Sequence, residues 1–251
     1  MSEGLAKAEG EAGVLRSLLT DYRVLILCAT RVCRVIGIMG LLYFAPLILE
    51  EEGMSETAAA LWLSLMMVAA IAVAQVWAMH SDHTGERILH SIAGHATLSA
   101  GLFAAAIANG IVPVSVISIG VARVGTEMAY IPFQAFMVRA PQARPGPRAT
   151  RPPPPRARSD PGAPRPRTLL QADILPRNAS NAGMAIIGMA ASASGIIAPV
   201  VIGALRSAYG GFTVPLFFLA ASTLLATVCL VPLGVTHRRR VRLDPEQLEL
   251  V

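Results

Sequence analysis

The chain has 251 residues, of which 54% are hydrophobic and only 15% charged, with a mean hydropathy of +0.56 and a formal net charge of +5. A soluble domain carries about 25% charged residues, so a chain this apolar has too little polar surface to cover a fold exposed to water. A transmembrane barrel would alternate apolar and polar residues over segments of about 10 residues, and no such alternation occurs. The apolar residues instead form blocks of about 20, which at about 1.5 Å per residue cross a hydrocarbon core of about 30 Å. The expected fold class is an all-α, polytopic membrane protein.

Taken in order, residues 1–23 form a basic cytoplasmic tail with Lys7, Arg16 and Arg23, and they lack the apolar core of a signal peptide. Span one covers 24–49 and carries Arg31, Arg34 and Pro46. An acidic loop, 50–56, leads to span two at 58–79. A polar turn at 80–87, whose Asp82 looks buried between two apolar spans, then joins span two to span three at 88–108. Asn109 and Gly110 turn the chain into span four, 111–136, which holds Arg123 and Glu127. Spans five and six are expected at 182–205 and 212–235, and Arg238, Arg239 and Arg240 open a polar tail over 236–251.

The loop charges orient these spans. The tails, the 80–87 turn and the segment after span four are basic, whereas the 50–56 loop is acidic. Six spans therefore place both termini in the cytoplasm, with Arg206 alone on the outer side. An inner (plasma) membrane location is expected, with the lipid bilayer as partner and no nucleic acid. Residues 137–178 break the pattern, being dominated by Pro, Arg and Ala with four prolines at 152–155. Such a stretch cannot bury a core and is expected to be a disordered cytoplasmic insert. Two readings of it stand, a basic linker that touches anionic lipid or a partner, and a stretch without selected function, such as a GC-rich segment translated out of frame.

A charge inside a span costs about 2.5–3.5 kcal/mol on insertion scales, so each one needs a reason. Arg31 and Arg34 lie three apart, on one face of span one. Arg34 is about 15 Å along the helix from Val24, close to mid-bilayer, where a guanidinium facing a cavity could hold a carboxylate through two parallel hydrogen bonds. Arg31 can instead snorkel to the headgroups. Arg123 and Glu127, four apart, can form an ion pair that makes both tolerable, and Glu127 could take up a proton. Gln134, Asn181, Ser192 and Ser194 could line a cavity or bond between helices, the commoner use. His80, His83, His90 and His95 read as loop and interface residues, not metal ligands, and Cys28, Cys33 and Cys229 as packing residues. Span five repeats Gly183, Gly188, Gly195 and Gly203 around Pro199, which suits close helix approach. No phosphate-binding glycine loop or catalytic set is present, so neither an enzyme nor a cofactor is expected.

The turn from Ser81 to Arg87 resembles the signature loop of the major facilitator superfamily, Gly-x-x-Ser-Asp-Arg-x-Gly-x-Arg. Asp82, Gly85 and Arg87 match, while Ala78 replaces the leading Gly and His83 the usual Arg. The Ser-Asp-x-Thr-Gly-Glu-Arg wording is similar to the second-half loop of the anion:cation symporter family, whose members move tartrate, phthalate and related organic acids. Residues 43–55 resemble that family's seventh helix and outer loop, and 195–203 its eleventh. The resemblance implies the second half of such a transporter, helices seven to twelve, with the first half absent. It also implies a small organic anion as substrate, proton coupling, and alternating access gated by Ser81, Asp82, Gly85 and Arg87. Arg34, Arg31 and Gln134 are the expected substrate contacts. The alternatives are a non-transporting remnant, and a half that assembles with another chain or a second copy.

Overall fold

The computed structural model describes residues 19–108, 110–137 and 180–243. The Pro/Arg-rich insert, most of the N-terminal tail, the end of the C-terminal tail, Asn109 and the side chain of Asn181 lie outside the described residues. Six helices follow one another: α1 (Tyr22–Glu51), α2 (Glu56–Thr84), α3 (Arg87–Ile107), α4 (Val112–Met137), α5 (Ser180–Tyr209) and α6 (Thr213–Leu243). Each contains a segment of 21–29 residues that is long and apolar enough to cross a membrane. Among the described residues there is no strand. The chain is all-α, with the architecture of an integral membrane protein.

Two boundaries differ from expectation. The polar residues of 80–87 do not form a long turn, because α2 continues through His80, Ser81 and Asp82 to Thr84. Polar side chains do not stop a helix by themselves, and the Thr84 hydroxyl donates back to the carbonyl of His80 at 3.0 Å. The stop is set by Gly85, whose φ of 70° is left-handed and whose N–H caps the Ser81 carbonyl. The second difference is at the C-terminus, where α6 runs past 235 to Leu243 and takes the three-arginine run into the helix. Arginine is a good helix former, so basic character does not end the element.

Short connections make α1 and α2, α2 and α3, α3 and α4, and α5 and α6 antiparallel. Around the bundle, α5 packs on α1, α1 on α6, α6 on α3, α3 on α4 and α4 on α2. The closest approach is between α3 and α4. A Cβ added at Gly94, Gly101 or Gly125 would collide with backbone atoms of the facing helix, at Ala129, Ala122 and Leu98 respectively. By contrast, Gly188 and Gly203 of α5 face open space. Among the described glycines, backbone-on-backbone contact therefore belongs to α3 and α4 and not to the Gly-rich span five.

The apolar core is split in two. One part, around Leu41, Leu49, Leu98, Leu102, Ile119 and Leu219, fills the end of the bundle that carries Glu51. The other, around Leu27, Ile88, Phe133, Ile187 and Leu230, fills the end that carries Asp82. Buried polar residues lie among these helices, including Thr30, Arg34, Ser91, His95, Ser99, Thr126 and Thr223. Ser99 donates from α3 to the Ala220 carbonyl of α6 at 2.9 Å, and Ser222 donates from α6 to the Cys33 carbonyl of α1 at 2.9 Å. These two hydroxyls make the interhelical bonds expected of Ser192 and Ser194. The latter two bond back within α5, to the carbonyls of Gly188 and Ala191.

At the Glu51 end, Arg206 pairs with Glu51 at 2.5 Å and stacks over Phe212 with its guanidinium 4.6 Å from the ring centre. Glu52 accepts from the N–H of Gly110 at 3.2 Å. The acidic segment thus neutralises Arg206, the one arginine at that end among the described residues. Both partners are about 40% exposed, so Arg206→Gln is expected to cost about 0–1 kcal/mol, read as a small fall in the melting temperature of the detergent-solubilised chain.

Candidate functional site

The site is built on α1 and α4, whose polar residues face one another across the bundle. On α4, Arg123, Glu127, Tyr130 and Gln134 recur at intervals of four, three and four, which places them on one face. On α1, Thr30, Arg31 and Arg34 occupy the facing stripe.

Arg34 is only 3% exposed. Its guanidinium lies over the Tyr130 ring, 5.0 Å from the centroid, and its Nε has no hydrogen-bond partner. Among the described residues no carboxylate forms an ion pair with it. Arg31, half-buried, donates from Nη1 to Gln134 Oε1 at 3.3 Å and stacks on Phe133 at 5.9 Å. It therefore turns into the bundle instead of snorkelling. Gln134 passes the chain on, its Nε2 donating to the Tyr130 hydroxyl at 3.2 Å. Arg31, Gln134, Tyr130 and Arg34 form one connected set.

Glu127 pairs with Arg123 at 3.2 Å, both largely buried. Three guanidiniums, Arg31, Arg34 and Arg123, thus share the α1–α4 interior with one carboxylate. On the α3 side, His95 is fully buried and meets Phe133 edge-on at 6.0 Å. Its Nδ1–H donates to the Ser91 carbonyl at 2.7 Å, which leaves Nε2 as an unpartnered acceptor. Thr30 Oγ1 is likewise buried without a partner. The interior therefore holds surplus positive charge and unused hydrogen-bonding capacity, a combination that is costly unless a polar guest supplies what is missing.

The Ser81–Arg87 segment lies at the opposite end from Glu51. Arg87 Nη2 pairs with Asp82 Oδ1 at 3.0 Å, and Arg87 Nη1 donates to the Ala135 carbonyl at the end of α4 at 3.1 Å. Asp82, expected to be sheltered, is 64% exposed at its side chain. It sits on the outer face of the last turn of α2, where it orients Arg87 from solvent. Ser81 is the buried member of the loop, 1% exposed, with an unpartnered hydroxyl. A brace that sequence reading missed lies alongside. His90 donates from Nδ1 to the Glu86 carbonyl at 2.7 Å, its Nε2 accepts from His80 Nδ1 at 2.7 Å, and the Trp77 indole donates to the His90 carbonyl at 3.2 Å. Three rings thereby fix the angle between α2 and α3 beside the Asp82–Arg87 pair. His83 is exposed, and no group of three or more metal-ligating side chains exists among the described residues. The three cysteines are half-buried and free.

Tyr130, Phe133 and His95 are the other members of the site that sequence reading missed. Tyr130 was in principle visible as the middle rung of the α4 polar stripe. His95 was not, because its relation to Arg34 depends on how α3 packs.

Two curated relatives match the chain. One, "Putative tartrate transporter" of Agrobacterium vitis, is 25% identical over 210 residues, 84% of this chain and 39% of its own length. The chain is similar to transporters. A second protein of that name and organism is 24% identical over 235 residues, 94% of this chain and 46% of its length. The chain spans less than half the length of these curated relatives. No family model matches it, and no solved structure matches it.

Proposed function

We propose that this chain is the second half of a secondary transporter for small organic anions of the tartrate type, a six-helix half of the major facilitator superfamily fold. The observation that carries the reading is Arg34, a buried guanidinium that lacks a carboxylate partner, flanked by two further arginines and one glutamate. The carboxylate of a substrate is the counter-ion that this interior lacks. It would take two parallel N–H bonds from Arg34, while Arg31 and Gln134, already linked, meet a hydroxyl or the second carboxylate. Similarity to proteins named as tartrate transporters supports the same class.

Glu127 supplies the coupling. With Arg34 free, its charge is balanced by Arg123. Once an anion occupies Arg34, the negative charges are crowded and Glu127 takes up a proton, so anion and proton enter together. The Asp82–Arg87–Ala135 contacts latch α2, α3 and α4 on the cytoplasmic side, and rocking of one half against the other breaks them. Both termini lie in the cytoplasm in this arrangement, which places the basic segments on the inner face of the plasma membrane.

Uptake of radiolabelled tartrate into vesicles that hold only this chain tests the proposal. The expected result is uptake that rises as the external pH falls, with Glu127→Gln removing the pH dependence. No uptake at any pH removes the activity and leaves the fold untouched. A second reading is favoured by the chain covering 39% and 46% of its relatives: transport requires a partner, another chain or a second copy, to supply the facing wall. Uptake that appears only on co-expression with six further spans selects that reading.

A further inference from the structure

A pocket of about 390 Å³ opens between α1, α2 and α4, at the small end of the range of about 300–1,000 Å³ found for small-molecule sites. Its walls are Leu41, Leu42, Ala45, Leu63 and Ile119, and its one charged wall is Arg123. Leu41 lies seven residues from Arg34, about 10 Å further along α1 towards the Glu51 end, so the pocket is displaced from the Arg34 set.

We propose that this pocket is a second anion site, for an aliphatic monocarboxylate of medium chain length whose carboxylate is held by Arg123. Four features point to it. The partners of the Arg123 guanidinium, Glu127 Oε1 and Met67 Sδ, both contact Nη2. The Nη1 and Nε donors are left for a guest, and Glu127 need not be displaced. Arg123 is the only charged residue of the lining, so an anion is favoured there over a cationic guest. The remaining walls are aliphatic side chains and the Met67 thioether, with Ser64 as the only hydroxyl, and that hydroxyl's proton is spent on the Ala60 carbonyl at 2.8 Å. Hydroxyls of a polyhydroxy acid would be buried there without partners, and no aromatic side chain lines the pocket to stack a ring. Finally, a mid-span arginine does not face hydrocarbon, so the mouth beside Leu42 and Ser64, both exposed, opens on an aqueous or protein-lined space and not on lipid tails.

The site stands on its own walls, whether or not the chain transports. Titration calorimetry of the whole chain in lipid nanodiscs, with hexanoate, hexanamide and tartrate as probes, tests it. Hexanoate is expected to bind at least about tenfold tighter than hexanamide, the difference that accompanies loss of one charge-assisted hydrogen bond. Arg123→Gln should remove that preference. Ser64→Phe, at an exposed position that folding does not need, should weaken hexanoate by a similar factor by filling the mouth. Arg34→Gln should weaken tartrate and leave hexanoate within about twofold. Equal binding of hexanoate and hexanamide, or hexanoate binding indifferent to Ser64→Phe, overturns the proposal. So does loss of hexanoate and tartrate together in Arg34→Gln, which would mean one site and not two. Failure of tartrate alone would count against the transport reading and not against this pocket.

Discussion

Arg34→Gln is expected to weaken binding of a small dicarboxylate by about 10- to 100-fold. A hydrogen bond to a charged group contributes about 1.5–3 kcal/mol, and about 1.4 kcal/mol is tenfold in affinity. Glutamine keeps much of the volume against Tyr130 but removes the charge and the fork of donors. The fold should not suffer, since a buried cation without a carboxylate partner contributes little net stability. The melting temperature is expected to hold or rise while affinity falls. Arg34→Lys should recover the charge but not the two-bond geometry, and so lie between the two. Equilibrium binding and thermal unfolding, measured on the same purified samples, separate these outcomes.

The second large effect is structural. Gly101→Val places a branched side chain where the Ala122 backbone of α4 already sits. Backbone cannot rotate aside as a side chain can, so α3 and α4 must separate. Overpacking of this kind costs about 1–3 kcal/mol, and for a chain of this size about 1 kcal/mol corresponds to about 2–4 °C. A fall of roughly 2–12 °C in melting temperature is therefore expected. The control is Gly188→Ala, whose added methyl meets nothing. It should leave the melting temperature unchanged or raise it slightly, because alanine favours the helix over glycine. Because α3 and α4 carry His95 and the Arg123–Gln134 stripe between them, the Gly101 variant should also lose anion binding.

The contrast between these glycines shows what the sequence could and could not say. Six spans were legible because bilayer thickness fixes the length of an apolar block, and the charges in spans one and four stood out because lipid makes them costly. The Arg123–Glu127 pair followed from helical spacing alone. What failed was everything set by which helix faces which. Gly-rich span five looked like the site of closest packing, yet the backbone contacts fall between α3 and α4, where Gly94, Gly101 and Gly125 are sparser but face one another. Asp82 looked buried because it sits between two apolar spans, but helical rotation within α2 turns it outward. Ser192 and Ser194 looked like interhelical donors, while Ser99 and Ser222 perform that role from positions with no distinguishing pattern. The link from Arg31 through Gln134 to Tyr130 joins helices over a hundred residues apart and has no local signature.

The central claim is that surplus buried guanidinium between α1 and α4 makes this interior a receptor for carboxylates. Its most direct test is calorimetric titration of the unmodified chain in lipid nanodiscs with tartrate and with its dimethyl ester, which keeps the shape and loses both charges. Saturable binding of tartrate with the ester at least about tenfold weaker, as expected when a charge-assisted bond is lost, is the predicted result. Equal affinity for the two, or heat from neither, would contradict the account.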